Sequence, residues 1–251
     1  MKMKFEHIGE ILTVVIAVAF GIVIFNFPPI EQRLDYHNFI DIKTIFNIPN
    51  FWNVLSNLPF LIVGILGLTK LNVFNKKRFQ YLIFFMSILL VALGSSYYHL
   101  NPNHETLVWD RLPMTVAFMS LLSILISESI NDKIGKNLLF PLLVLGIASI
   151  VYWLITKDLR LYVFVQFYPI LIIPILLLCF RLKINAVNGY WFLLLAYVIA
   201  KTLEYFDALV FDYLKFSGHS LKHIISAVGL FVLYKYYKRA LTSKMPQPYN
   251  Y

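Results

Sequence analysis

Apolar residues gather in eight runs along the chain, at about 8–27, 52–72, 79–98, 112–127, 137–156, 161–180, 190–210 and 219–237, with Lys, Asn, Asp and Pro concentrated between them. Each run approaches the roughly 20 residues that a helix needs to cross the hydrocarbon of a bilayer. None has the strict alternation of a strand meander. A bare backbone amide is too costly in lipid, so the runs predict helices and the whole predicts an all-α polytopic membrane bundle. Lys2 and Lys4 precede the first run and Phe27-Pro28-Pro29 follows it, as in a signal peptide, but a small-residue cleavage site is missing and an uncleaved span is expected.

Composition agrees with the pattern. The 251 residues are 59% hydrophobic and 14% charged, far more apolar than a soluble domain, and eight spans leave no room for a separate soluble unit. A net charge of +9 would suit nucleic acid if it lay on one soluble face, but the basic residues stand at the ends of apolar runs, which excludes that partner. They report topology instead. Fourteen of the 22 Lys and Arg fall on one set of alternate connections, among them Lys76, Lys77, Arg78, Lys235, Lys238 and Arg239, and eight on the other. The positive-inside rule then places both termini in the cytoplasm, and connections 28–51, 99–111 and 211–218 outside the plasma membrane. The single cysteine, Cys179, rules out an internal disulfide and a cysteine metal cluster, so any metal must take nitrogen and oxygen ligands. Residues Ser243 to Tyr251, with Pro246 and Pro248, read as a disordered tail.

The candidate chemistry lies at the outer ends of three runs. His219 and His223 are four apart at the start of the last run, so both imidazoles can reach one point from one helix face. Ser95 and His99 share a face at the outer end of the third run, beside Gly94, whose lack of a side chain allows close approach by a helix or a substrate. The topology brings all three histidines to the same membrane surface; the competing reading is a set of interfacial histidines reaching for headgroups. Asp110 stands just before Leu112-Pro113-Met114, where it reads either as the N-cap of the fourth span or as a base that takes a proton from water. Three neutral imidazoles and a water make an open catalytic zinc site, though iron, copper or nickel would accept the same donors. In that scheme His99, His219 and His223 hold the metal, Asp110 is general base and the Ser95 hydroxyl donates to the developing oxyanion. No Gly-x-Ser-x-Gly elbow offers a serine nucleophile. Lys201 and Glu204 read as a neutralising pair, with Glu204 or Asp207 also able to accept from a ligating imidazole. His37 and His104 read as solvated, and Tyr36, Tyr97, Tyr98 and Trp109 as an interfacial aromatic belt that would also line the mouth of a lipid site.

Ser95-x-x-x-His99, Asp110, the Leu112-Pro113-Met114 triplet and His219-x-x-x-His223, together with Asn50-Phe51-Trp52-Asn53-Val54-Leu55-Ser56-Asn57, resemble the alkaline ceramidases and the superfamily around them over about residues 35–237. The resemblance implies a seven-helix hydrolase core at 52–237, an extra N-terminal membrane helix at 1–30, an extracytoplasmic connection at 31–51 and a cytoplasmic tail at 238–251. It also implies a zinc ion on the three histidines and hydrolysis of the amide of a ceramide-like membrane lipid. Hydrolysis of another lipid amide or ester stays open, as does a receptor whose metal is structural, with Asp110 as fourth ligand. Two positions depart from the family pattern. Arg111 stands where an acidic residue usually follows the aspartate, and Asn50 replaces the Glu that ends the acidic segment of the calcium-binding members. Asp35, Asn38 and Asp41 are therefore read as loop residues in Asx turns rather than calcium ligands.

Overall fold

The computed structural model describes residues 2–182 and 185–242, so the tail read as disordered lies outside the described residues. The chain runs as α1 (Lys2–Asn26), a long connection with a 3-10 turn at Leu34–His37, α2 (Phe51–Leu55), α3 (Leu58–Thr69), a 3-10 stretch at Leu71–Lys77, α4 (Arg78–Leu100), α5 (His104–Ser129), α6 (Asp132–Thr156), α7 (Arg160–Cys179), α8 (Val187–Tyr205), α9 (Asp207–Leu214) and α10 (Gly218–Thr242). Among the described residues there is no strand, only isolated bridges at Glu31 with Asp158 and Ile45 with Ile48. The fold is an all-α polytopic bundle. Among the described residues six segments are long and apolar enough to cross a membrane (α1, α2 with α3, and each of α4 to α7), and a seventh is added if α9 and α10, bent by 97°, count as one span. The remaining long helix, α8, carries Lys201 and Glu204 in its last turns, which lowers its hydropathy.

Two of the departures from the expected boundaries bear on the site. α5 starts at His104, not near 112, because Asn103 and Thr106 form a reciprocal capping box: Asn103 Oδ1 accepts from the Thr106 amide at 2.9 Å and Thr106 Oγ1 accepts from the Asn103 amide at 3.2 Å. Asp110 is therefore nearly two turns inside α5 and is not its N-cap. The charged residues between 104 and 111 hid this helical stretch from a hydropathy reading. The connection expected at 211–218 is likewise mostly helix, since α9 runs to Leu214 and ends where Lys215 adopts the left-handed conformation, φ 53°.

In lipid, helices gain little from burying apolar surface against one another, and association relies on close packing and interhelical hydrogen bonds. α4 packs between α3 and α5, α5 against α6 and α7, and α10 against α8 and α3. Two glycines beside the candidate site bring one helix against the backbone of another. A Cβ on Gly94 would lie 1.9 Å from the Trp109 carbonyl oxygen of α5, and one on Gly218 would lie 2.2 Å from the Leu203 carbonyl oxygen of α8. Each glycine directly precedes a candidate site residue, Ser95 or His219. α1 packs on α7 and is tied there by Arg160, which donates to the Phe25 and Phe27 carbonyls at 3.0 and 2.8 Å and to Asp158 at 2.7 Å. At the opposite end from the histidines, Lys77 pairs with buried Glu128 and with Asp132, and Gln80 donates to Ser123 and Ser127.

The packing at Gly94 predicts that Gly94→Val destabilises the protein by about 3 kcal/mol or more, since the clash is with backbone and the helices must part. Thermal unfolding in detergent should show a clear drop in midpoint, whereas Leu93→Val, at an exposed neighbouring position, leaves it near the parent value.

Candidate metal centre

His99 ends α4, and His219 and His223 occupy the first turns of α10. Their rings meet: the centroids are 5.0 Å apart for His99 and His219, 5.1 Å for His99 and His223, and 5.0 Å for His219 and His223. All three are buried, and one ligand nitrogen from each lies within 4.8 Å of the others. Neither ring nitrogen of His99 has a hydrogen-bond partner, a costly state for a buried imidazole and one that an ion would relieve. Ser56 Oγ donates to the Asn53 carbonyl at 3.0 Å and lies 2.8 Å from His223 Nδ1. That geometry gives Nδ1 the proton and leaves His223 Nε2 as a lone-pair donor. Three imidazole nitrogens fit zinc or another transition ion and do not fit calcium or magnesium, which take oxygen.

The surrounding shell comes from elements distant in sequence. Phe39, from the connection after α1, packs its ring at a tilt against His99 and His219, with centroids 4.7 and 4.8 Å away. Asn50 Nδ2 donates to the His99 carbonyl at 2.9 Å, and Ser220 Oγ donates to Asn53 Oδ1 at 2.7 Å. Asp207 caps α10 by accepting from Ser217 Oγ at 2.7 Å and from the His219 amide at 3.1 Å. Glu204 bridges Lys201 and Lys222, each at 2.7 Å, and Lys222 Nζ lies 3.2 Å from His219 Nε2.

Ser95 and Asp110 face each other across the α4–α5 contact that Gly94 permits. Both line a cavity of about 310 Å³ together with His223, Lys222 and Glu204; deeper in the bundle its walls are apolar, among them Phe60, Ile88, Leu121 and Leu193. With this geometry in place, a comparison with protein families is decisive: the model of the family described as Ceramidase matches residues 41–206. The chain belongs to the ceramidase family. It is also 24% identical over 131 residues to alkaline ceramidase 3 of Mus musculus, a match covering 52% of this chain and 48% of the mouse protein. The chain thus spans about half the length of that curated relative. The ceramidase family match takes in Ser95, His99 and Asp110 and stops before α9 and α10, so His219 and His223 reach the cluster from outside it.

Within this family member the other expected residues divide. Lys201 and Glu204 do pair, but with Lys222 as a third member. Glu204 Oε1 is 3.9 Å from His219 Nδ1, too long for a hydrogen bond, and Asp207 bonds the His219 backbone rather than its ring. His37 and His104, read as solvated, are half-buried partners: His37 Nε2 is 2.6 Å from His104 Nδ1, and His37 Nδ1 is 2.9 Å from Tyr98 Oη. Tyr98 consequently leaves the interfacial belt and is fully buried, while Tyr97 and Trp109 stay exposed. Asp41 accepts from the Lys43 amide at 3.2 Å in the expected Asx turn, and Asp35 pairs with Arg33. Phe39 and Lys222 were not found as site residues. Asn53, Ser56 and Asn57 had a usable signal, polar residues spaced three and four apart in an otherwise apolar run.

Burial, then the nearby charges of His104 and Arg111, holds the His37 imidazole below the ordinary histidine range. The unfolded chain therefore binds the extra proton first as pH falls, so this contribution to stability is complete above about pH 6.5 and is lost below it. Unfolding midpoints at pH 7.5 and 5.5 should diverge less in His37→Gln than in the parent.

Proposed function

We propose that the protein is a zinc-dependent intramembrane hydrolase that cleaves the amide of a ceramide-like N-acyl lipid. The observation that carries this reading is the joining of three convergent, buried imidazoles to a cavity with a carboxylate at its polar end and an apolar body. A zinc ion bound there supplies Lewis acidity, polarising a carbonyl and making water acidic enough to serve as nucleophile near neutral pH. Asp110, beside Ser95 in the cavity wall, accepts the proton that the attacking water gives up and returns it to the departing amine. Once Asp110 carries that proton, the Ser95 hydroxyl is free to donate to the carbonyl oxygen as charge develops on it. Lys222, fixed by Glu204 beside His219, adds positive charge at the same end. The acyl chain lies among Phe60, Ile88, Leu121 and Leu193, and the cavity's volume is within the range of small-molecule sites. The asymmetry of Lys and Arg supports cytoplasmic termini and a metal near the outer leaflet, level with the amide of a lipid there.

Two variants test the roles. His219→Ala should lose about one metal equivalent by elemental mass spectrometry, as expected when one of three ligands is removed; unchanged metal content would refute the ligand set. Asp110→Asn should retain metal and lower turnover of an N-acyl lipid by about 10²–10⁴-fold, measured as released fatty acid. Full activity in that variant would leave Asp110 without a catalytic role, and turnover that survives metal removal would overturn zinc dependence.

A further inference from the structure

Arg111 has only 6% of its surface exposed, yet none of the carboxylates among the described residues pairs with it. Its guanidinium is caged by rings, 4.8 Å from the Tyr162 centroid, 4.9 Å from Trp153 and 5.5 Å from Tyr36. One arm, Nη2, donates to Gln32 Oε1 at 2.6 Å. The other, Nη1, is buried with no partner at all. Aromatic faces stabilise the charge but accept no hydrogen bond in the plane of the guanidinium, so two N–H donors are left facing nothing that can accept them. Arg111 lines the same cavity as Asp110, its neighbour on α5.

A desolvated guanidinium with a free pair of donors is what recognition of a phosphate, sulfonate or carboxylate requires, because such an anion supplies both the missing charge and the missing acceptors. The other cations of the polar end each have an acidic partner. Lys201 and Lys222 already share Glu204, whereas Arg111 has only the neutral Gln32. We infer that Arg111 is a headgroup-recognition residue, and that the lipid taken into this cavity carries an anionic headgroup, with a phosphate or sulfonate engaging Nη1. This deepens the hydrolase reading and rests on it only for the fate of the lipid, not for its binding. The rings fix the guanidinium, and Asp110 precedes it directly on α5 and lines the same cavity, so an anion held at Arg111 brings the adjoining amide to the reactive end of the cavity.

The test uses the full-length protein in zwitterionic nanodiscs, loaded with equimolar ceramide and ceramide 1-phosphate of one acyl length, with retained lipid read by native mass spectrometry. The phosphorylated lipid should be retained about tenfold over the neutral one. Arg111→Gln should bring the ratio near one, and Arg111→Lys should restore most of it, which separates charge recognition from a packing defect. Inorganic phosphate at equal concentration should not displace the lipid, since the acyl chain holds it; displacement would show a general anion site and overturn the lipid assignment. Equal retention in the parent protein, or a preference that survives Arg111→Gln, would overturn the proposal. Released fatty acid is measured in parallel: if neither lipid is cleaved while the Arg111-dependent preference persists, the headgroup site stands and the hydrolase reading fails.

Discussion

A polar side chain inside a membrane protein has no water to turn to, so it must find a partner in the chain or in a ligand. That constraint organises this molecule. Two clusters of its buried polar residues lie at opposite ends of the bundle. At one end, Lys77, Glu128, Gln80, Ser123 and Ser127 satisfy most of one another's needs and fasten α4 to α5. At the other end the demands are left partly open: His99 has two unpartnered nitrogens and Arg111 a free arm. The closed network is structural and the open one is where chemistry and recognition can occur, because an unsatisfied buried group is costly until something binds it.

The open end exists because glycines let the helices that carry its residues come close. With Gly94 against the Trp109 carbonyl and Gly218 against the Leu203 carbonyl, Ser95 meets Asp110, and His219 meets both His99 and the Glu204 cluster. A side chain at either glycine would move α5 or α8 outward, and the site residues would separate before any one of them was altered.

What could be read from the chain follows the range of the forces involved. His219 and His223 were legible because a four-residue spacing on a helix is a local fact, and their meeting with His99 followed from counting spans. The start of α5 was misread because hydropathy sees the charged stretch from His104 to Arg111 as a break, although Asn103 and Thr106 spelled a capping box there. Tyr98 and His37 were misassigned for a different reason: their burial depends on a loop some sixty positions away folding onto α4, which no local pattern records. Phe39 and Lys222 were missed for the same reason, and Arg111 was noticed only as a departure from the family pattern, with nothing to say that three rings would surround it.

The tie between α1 and α7 bears on how the site is roofed. Asp158 accepts from the Ile30 amide at 3.1 Å, while Arg160 grips the end of α1, so the connection from 27 to 50 starts from a fixed post. It ends at another, where the Phe51 amide donates to the Lys43 carbonyl and Asn50 reaches the His99 carbonyl. Stretched between these posts, the segment lowers Gln32, Tyr36, His37 and Phe39 onto the centre. Helix α1 thus serves as the abutment of an arch: it packs on α7 rather than on the centre, yet it sets the height of the ceiling above it.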